Sequence, residues 1–263
     1  MLEDITPLLL TFDEMPNLER TFAALEWAKR IVVVDSGSTD GTAEWLRRDS
    51  RVALFTRTFD AHGKQWEYGL RETDIRTPWV LALDADHVLT PECSAELRGL
   101  SPAPGVSGFE ARFTYCVEGK KLRGGLYPPR IALARVAQAR FRQDGHTQRL
   151  EVDGGVQRLS SAILHDDRKP RTRFLAGQAR YALQEAEKLL TTKPSELSRT
   201  DRIRKLGWIA PWLVPFWCLV VKRGILDGRA GLIYAGERAI AEWLIAMAIL
   251  ENRLKSKSAG SPA

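Results

Sequence analysis

Trp79-Val80-Leu81-Ala82-Leu83-Asp84-Ala85-Asp86-His87 is an apolar run that ends in two carboxylates one residue apart. Five consecutive apolar residues read as a strand buried on both faces. That reading decides the fold. In an open α/β sheet, ligands gather beyond the carboxyl ends of the strands, where Asp84 and Asp86 would stand. Two carboxylates this close repel unless a cation or a shared proton relieves them. A solvated acidic turn fits the same letters, so the flanking chain has to arbitrate.

Upstream the pattern repeats. The run 8–12 is a short apolar strand, and Asn17 is placed to cap a helix carrying Leu18, Phe22 and Leu25 at helical spacing. Ile31-Val32-Val33-Val34 is β-branched and continuous, the mark of a buried parallel strand, and it ends at Asp35. The turn and capping residues 36–42 follow, then a helix over 42–48, a strand over 52–56 and a helix over 64–72. Strand and helix thus alternate with short connections, which predicts right-handed βαβ units. After Pro91 the rhythm breaks. A helix over 92–100 precedes a stretch of period-two alternation over 108–117. Short strands follow at 131–133, 139–141 and 162–164, then an amphipathic helix over 172–190. The expected fold is α/β, a mixed but mostly parallel sheet flanked by helices, with a helical amphipathic C-terminal appendage.

A chain of 263 residues suits one large α/β domain with such an appendage. With 44% hydrophobic and 27% charged residues it reads as globular rather than disordered. The net charge of +6 suits anionic partners. Cys93, Cys116 and Cys218 are isolated, without metal-ligand spacing, which suits a reducing compartment. No basic segment followed by an apolar run opens the chain, so no signal peptide is expected.

Lys193-Pro194-Ser195 marks a boundary. The reading is a main domain over 1–193, a helical region over 194–256 and a polar, disordered tail over 257–263. Arg199, Arg202, Arg204 and Lys205 precede the apolar run 208–221, which Lys222 and Arg223 follow. That run is shorter than the ~20 residues of a spanning helix and holds two prolines and three tryptophans. It predicts contact with an anionic membrane surface through 198–223. The other reading is a core helix packed on the main domain, and a helix over 240–250 could pack beneath either.

Asp35, followed by a Ser/Gly/Thr loop that opens a helix, offers a nucleotide-contact geometry. A well-capped turn uses the same residues, and the absence of G-x-G-x-x-G spacing disfavours a dinucleotide fold. Asp84 and Asp86 could hold Mg²⁺ or Mn²⁺, with phosphate oxygens and water completing the shell. His165 ends an apolar strand and could meet the same cation, or simply cap the strand. In Asp144-Gly145-His146 the carboxylate could act as general base on an acceptor hydroxyl, with His146 orienting it or touching phosphate. A solvated turn is the alternative.

Residues 32–42 (VVVDSGSTDGT) together with Leu81-Ala82-Leu83-Asp84-Ala85-Asp86 resemble family 2 glycosyltransferases of the GT-A fold. Thr11-Phe12-Asp13-Glu14 with Asn17 is similar to that family's opening strand and loop, where Asn-Glu is usual. Gln65-Trp66 with Gly69-Leu70 is similar to the helix before the metal strand. His165-Asp166-Asp167, the QARYALQE run at 178–185 and the GILDGRAG run at 224–231 resemble the bacterial branch that glycosylates lipopolysaccharide cores.

The resemblance implies a metal-dependent, inverting hexosyltransferase. It would move a sugar from a nucleotide-sugar, a UDP-sugar, to a hydroxyl of a glycan or lipid-linked glycan in envelope polysaccharide synthesis. It implies a cytoplasmic protein lying peripherally on the inner face of the cytoplasmic membrane. By the same resemblance Asp35 contacts uracil or ribose, and Asp84 contacts ribose or phosphate. Thr11, Asp13, Glu14, Ser36, Gly37, Ser38, Asp40, Gln65 and Ala85 line the nucleotide-sugar pocket. Asp86 and His165 bind Mn²⁺ or Mg²⁺, and Asp144 with His146 supplies the base. Two departures stand out. His87 occupies a place where many members carry an acid, and Asp144-Gly145-His146-Thr147-Gln148 replaces the acidic pair that often supplies the base.

Two other classes compete. Residues 81–88 (LALDADHV) fit the D-x-D-x-[TV] motif of haloacid dehalogenase-type phosphohydrolases, with Asp84 as nucleophile and Asp86 as acid/base. That motif normally sits on the first strand, whereas three βα units precede it here. A non-catalytic sugar-nucleotide-binding module is the other, and the retained carboxylates and His165 argue against it. No nucleic-acid partner is expected, because the basic residues cluster round the apolar tail rather than interleaving with aromatics.

Overall fold

The computed structural model describes residues 1–144 and 147–259, apart from the side chains of 144, 147 and 257–259. The first half alternates as its hydrophobic pattern requires: β1 (Ile5–Thr11), α1 (Met15–Ala23), β2 (Ile31–Asp35), α2 (Thr42–Leu46), β3 (Val52–Thr56), α3 (His62–Arg71) and β4 (Trp79–Asp84). Then come β5 (His87–Leu89), α4 (Pro91–Gly99), β6 (Val106–Val117), β7 (Lys120–Lys121) and β8 (Arg130–Arg135). β9 (Ala139–Asp144), β10 (Thr147–Val152) and β11 (Gly155–His165) complete the strands. The helices α5 (Arg171–Thr191), α6 (Arg199–Lys205), α7 (Ala210–Phe216) and α8 (Arg229–Ala259) follow.

The main sheet runs β3-β2-β1-β4-β8-β6-β11-β5, with β7 pairing on β6. β1 is parallel to β2 and β4, and β2 is parallel to β3. β8 turns the sheet mixed by pairing antiparallel to both β4 and β6. β4 and β5 stand far apart in this order although only Ala85 and Asp86 separate them in sequence. Three residues reach at most ~11 Å, so the sheet must curl back on itself at this turn.

Successive side chains of a strand face opposite sides, and both sides of this sheet are covered. Leu9, Ile31, Val33, Leu81 and Leu83 join Leu18, Phe22 and Leu25 in one core. Leu8, Val32, Val34 and Val80 join Trp66 and Leu70 in the other. That double burial is why these strands read as continuous apolar runs.

Several expectations change in detail. Asn17 is not the cap of α1. The helix starts at Met15 with a proline in its first turn, a position proline suits because it lacks the N–H that would go unpaired there. Asn17 is buried and bonds elsewhere. β5 and β10 escaped the sequence reading, β5 being only three residues long and β10 pairing with β9 alone, off the main sheet. α8 runs well beyond 240–250 and continues to Ala259, where a tail was expected; residues 260–263 lie outside the described residues.

Two compact units divide the chain. One comprises Met1–Lys121 with Tyr127–Lys169, the other Leu122–Leu126 with everything from Pro170 onward. The sequence boundary at 193 falls after α5. The structure groups α5 with the second unit, because Ala182, Ala186 and Leu189 pack with Ile245, Ala248 and Ile249 of α8.

Within the second unit Arg204 Nε lies 3.0 Å from each carboxylate oxygen of buried Glu242. The 224–231 run has a steric explanation. A Cβ on Gly231 would sit 1.9 Å from the Gly224 carbonyl oxygen, so glycine is required where α8 starts against the preceding turn. Buried Asp227 accepts the Arg123 N–H at 2.8 Å. Along 208–226 this unit buries Ala210, Pro211 and Cys218 but exposes Trp208, Trp212, Phe216, Trp217, Ile225 and Leu226. Among the described residues no helix is long and apolar enough to cross a membrane.

Candidate active site at the carboxyl rim

The loops after β1 and β2 are sewn together by short polar side chains. Asp35 is 2% exposed. One of its oxygens accepts the N–H groups of Gly37 and Ser38 at 3.0 and 2.9 Å, and the other accepts the hydroxyls of Thr11, at 2.8 Å, and Ser38. Asp13 adopts φ 52°, a left-handed conformation that Asp and Asn tolerate better than other side chains. From there it accepts the Thr39 N–H at 2.7 Å, while its own N–H donates to Ser38 Oγ at 2.7 Å. Asp40 accepts the Met15 N–H at 3.1 Å, and Thr42 Oγ1 accepts that of Glu14 at 2.8 Å. Gln65 on α3 donates to Ser36 Oγ at 3.1 Å and also bonds Arg57. Thr11, Asp13, Glu14, Asp35, Ser36, Gly37, Ser38, Asp40 and Gln65 are therefore one connected assembly.

The turn Asp84-Ala85-Asp86 is pinned from two sides. Thr21 of α1 donates its hydroxyl to the Ala85 carbonyl at 2.7 Å, and the Asp166 N–H donates to the Asp86 carbonyl at 3.0 Å. Antiparallel pairing of β11 with β5 sets His165 directly opposite His87. Asp86, His87 and His165 each offer a ligand-type atom, all within 4.8 Å of one another. His165 Nε2 is 3.2 Å from Asp86 Oδ2. Burial opposes the Asp86 charge, yet His165, Lys169 and His87 outweigh it and hold the carboxyl below the usual range. Burial likewise opposes a charged His165, and Asp86 reverses the balance and raises its pKa. His87, wholly enclosed, is pushed down to about 4 by burial against the pull of Asp84 and Asp86.

A second polar layer lies beside the cluster. Lys169 Nζ is 2.7 and 2.8 Å from the two oxygens of Glu14. Burial, helped by Asp86, pushes Glu14 up to about 7 against Lys169 and Asn17. Asn17 donates to Glu14 at 2.8 Å and to Asp167 at 3.0 Å, and accepts the Arg168 N–H at 2.8 Å. Asp166 accepts the Gly119 N–H at 3.0 Å and pairs with Arg168.

The structure thus gathers Asp84, Ala85, Asp86 and His165 as the sequence anticipated. It adds His87, Lys169 and Tyr127, which the sequence reading did not assign to the site. Tyr127 packs its ring 4.7 Å from that of His165, and its hydroxyl is 3.3 Å from His87 Nε2. Only the position of His87 directly after the carboxylate pair hinted at it. Nothing in sequence marks Lys169 or Tyr127, which arrive through β11 and the segment before β8. His146 and the side chain of Asp144 lie outside the described residues; β9 ends at Asp144.

The residues fit a divalent cation. Asp86 Oδ1 and His165 Nδ1 are buried without a hydrogen-bond partner among the described residues. A carboxylate oxygen with an imidazole nitrogen is a donor set that accepts Mn²⁺.

Residues 8–126 match the family model described as Glycosyl transferase family 2, so the chain carries a glycosyltransferase domain over that span. The span contains Asp35, Asp84, Asp86 and His87, whereas His165 and Lys169 lie beyond it. Among solved structures, the crystal structure of S. aureus TarS 1-349 is 14% identical, covering 95% of this chain and 91% of that one at a TM-score of 0.41. The crystal structure of S. aureus TarS 1-349 in complex with UDP matches over the same shares at 14% identity and a TM-score of 0.42. A crystal structure of a mycobacterial protein is 13% identical, covering 72% of this chain and 76% of that one at 0.41.

Proposed function

We infer that this glycosyltransferase is an inverting, GT-A-type hexosyltransferase. It takes a sugar from a nucleotide-sugar, a UDP-sugar, and passes it to a hydroxyl of a glycan or lipid-linked glycan of the cell envelope. One observation carries the reading. The matched domain's Asp84-Ala85-Asp86 turn meets His165 through the β11–β5 register, so residues distant in sequence converge on one cation-sized group.

Asp86 and His165 would hold Mn²⁺ or Mg²⁺, which when bound offsets the charge left on a departing diphosphate. The chain's own part is positioning. The Asp35 carboxylate already accepts four hydrogen bonds from its loop and Thr11, so its first role is to shape the cradle. A base or ribose reaches Asp35 by taking over from the Thr11 or Ser38 hydroxyl. Asp84, the most open of the cluster with 36% of its side chain exposed, is free to meet ribose or phosphate. Asp144, at the end of β9, is the proposed base that takes the acceptor hydroxyl's proton as its oxygen attacks the anomeric carbon from the face opposite the diphosphate, and His146 is proposed to orient it or to contact phosphate. No observation favours the phosphohydrolase reading, since Asp84 ends β4 and Asp86 lies in the turn that follows, after three βα units.

The exposed apolar residues of 208–226, with exposed Arg202 before them and exposed Lys222 and Arg223 among them, support docking on an anionic membrane surface. This would bring the protein to the inner face of the cytoplasmic membrane, where a lipid-linked acceptor lies. A thermal-shift panel of nucleotides and nucleotide-sugars, with and without Mn²⁺, tests the donor. Stabilisation by UDP species that requires Mn²⁺ is expected. Equal shifts with and without the cation, or none with any nucleotide, would sink the reading.

A further inference from the structure

We propose that His87 is a hydrogen-bond donor to the site's oxygens, and not a ligand of the cation that Asp86 and His165 would hold. The cation itself rests on the function proposed above; the proton position on His87 does not.

Proximity alone suggests the opposite, a three-ligand set of Asp86, His87 and His165. The hydrogen bonds decide otherwise. A neutral imidazole has one N–H and one lone pair in its ring plane. The Asp84 backbone N–H donates to His87 Nδ1 at 3.0 Å, so the lone pair is already engaged and the proton resides on Nε2. To ligate a cation at Nε2, His87 would have to lose that proton and become an imidazolate. To ligate through Nδ1 it would have to abandon the backbone N–H at the end of β4. That would leave a buried donor unpaired at a cost of ~1–3 kcal/mol.

Nor can the ring readily turn over. His87 is 4% exposed, with Phe113 and His165 at ring-centroid distances of 4.7 and 5.4 Å. In this setting Nε2–H faces oxygens. Tyr127 Oη lies 3.3 Å away, Asp84 Oδ2 3.6 Å and Asp86 Oδ1 3.9 Å. The last is the carboxylate oxygen that has no hydrogen-bond partner among the described residues. His165 is the contrasting case. Its Nε2 faces Asp86 and its Nδ1 has no partner among the described residues, so it keeps a lone pair to give.

The protein therefore supplies two ligands, one anionic and one neutral, and presents His87 as a fixed positive edge beside them. So few protein ligands bind a hard divalent ion weakly unless phosphate oxygens fill the shell. The cation and the nucleotide diphosphate should then bind together, each weakly without the other.

The chain has four histidines, so long-range ¹H–¹⁵N spectra of ring nitrogens can be assigned by single replacements. His87 is expected to show the Nε2–H tautomer. Adding Zn²⁺ with UDP should shift a ring nitrogen of His165 and leave the His87 pattern in place. In Mn²⁺ titrations followed by electron paramagnetic resonance, His165→Asn should weaken binding by about tenfold or more. His87→Gln, which keeps an N–H donor, should change it by less than about threefold. An Nδ1–H tautomer, a coordination shift at His87, or equal losses in both variants would overturn the proposal. If no histidine responds to Zn²⁺ while His87 keeps its Nε2–H, the cation falls from the proposed function and the donor assignment stands.

Discussion

Lys169 reaches both carboxylate oxygens of Glu14, at 2.7 and 2.8 Å, and joins the loop after β1 to the segment after β11. Glu14 and Lys169 are each mostly enclosed, their side chains 13% and 15% exposed. Removing one partner of a buried pair leaves a charge without compensation, at ~3–5 kcal/mol. Lys169→Met should lower the urea midpoint accordingly. Adding Glu14→Gln to that variant should restore much of the loss. Additive losses across the double-mutant cycle would show that the pair is not coupled.

His87 makes stability depend on pH. In the folded chain it takes up a proton only near pH 4, against 6.5 as the unfolded reference. Between these values the unfolded state binds the extra proton, so the stability it contributes is complete above pH 6.5 and is lost as pH falls toward 4. The loss should be about 3 kcal/mol at most. In EDTA, urea midpoints of the wild type and His87→Asn should converge as pH drops from 7 to 4.5. Parallel curves would contradict the assignment.

For catalysis, Asp86→Ala should abolish sugar transfer from a UDP-sugar. Asp144→Asn should lower kcat by about 10²- to 10⁴-fold while sparing donor affinity. Undiminished turnover in the first variant removes the cation role. Equal loss of binding and turnover in the second makes Asp144 a structural residue.

Membrane docking has its own readout. Trp212→Ser with Trp217→Ser should weaken sedimentation with vesicles rich in phosphatidylglycerol. Neutralising Lys222 and Arg223 should cost about 1 kcal/mol per charge, and added salt should mimic that change. Binding that ignores both lipid charge and these substitutions would refute the membrane surface.

Gly231→Ala should destabilise the second unit by about 1–3 kcal/mol or more, since its Cβ would overlap the Gly224 carbonyl oxygen. Circular dichroism melting reads the change. An unshifted melting temperature would mean that the turn can relax.

Much of the first unit was legible because its strands are buried on both faces, so Ile31-Val32-Val33-Val34 and Trp79 to Leu83 carry uninterrupted apolar signals. Asp84 and Asp86 were legible because they end and follow such a strand, and His165 because it closes the short apolar run Ala162-Ile163-Leu164. Register and short pairings were not. Nothing in His87-Val88-Leu89 announces a strand, and only its pairing with β11 sets the two histidines opposite each other. Asn17 looked like a helix cap because its type suits one. Its amide instead ties Glu14, three residues away, to Asp167 and Arg168, 150 and 151 residues away, and those distant contacts leave no local trace.

The excursion at Leu122–Leu126 carries a consequence for the chain's history. The polypeptide passes between the two units three times, after Lys121, after Leu126 and after Lys169. A single cut or a single crossover near residue 170 therefore cannot free either half, since Leu122–Leu126 would be left stranded with the wrong partner. An exchange of modules at residue 170 would part Leu122–Leu126 from the rest of its own unit.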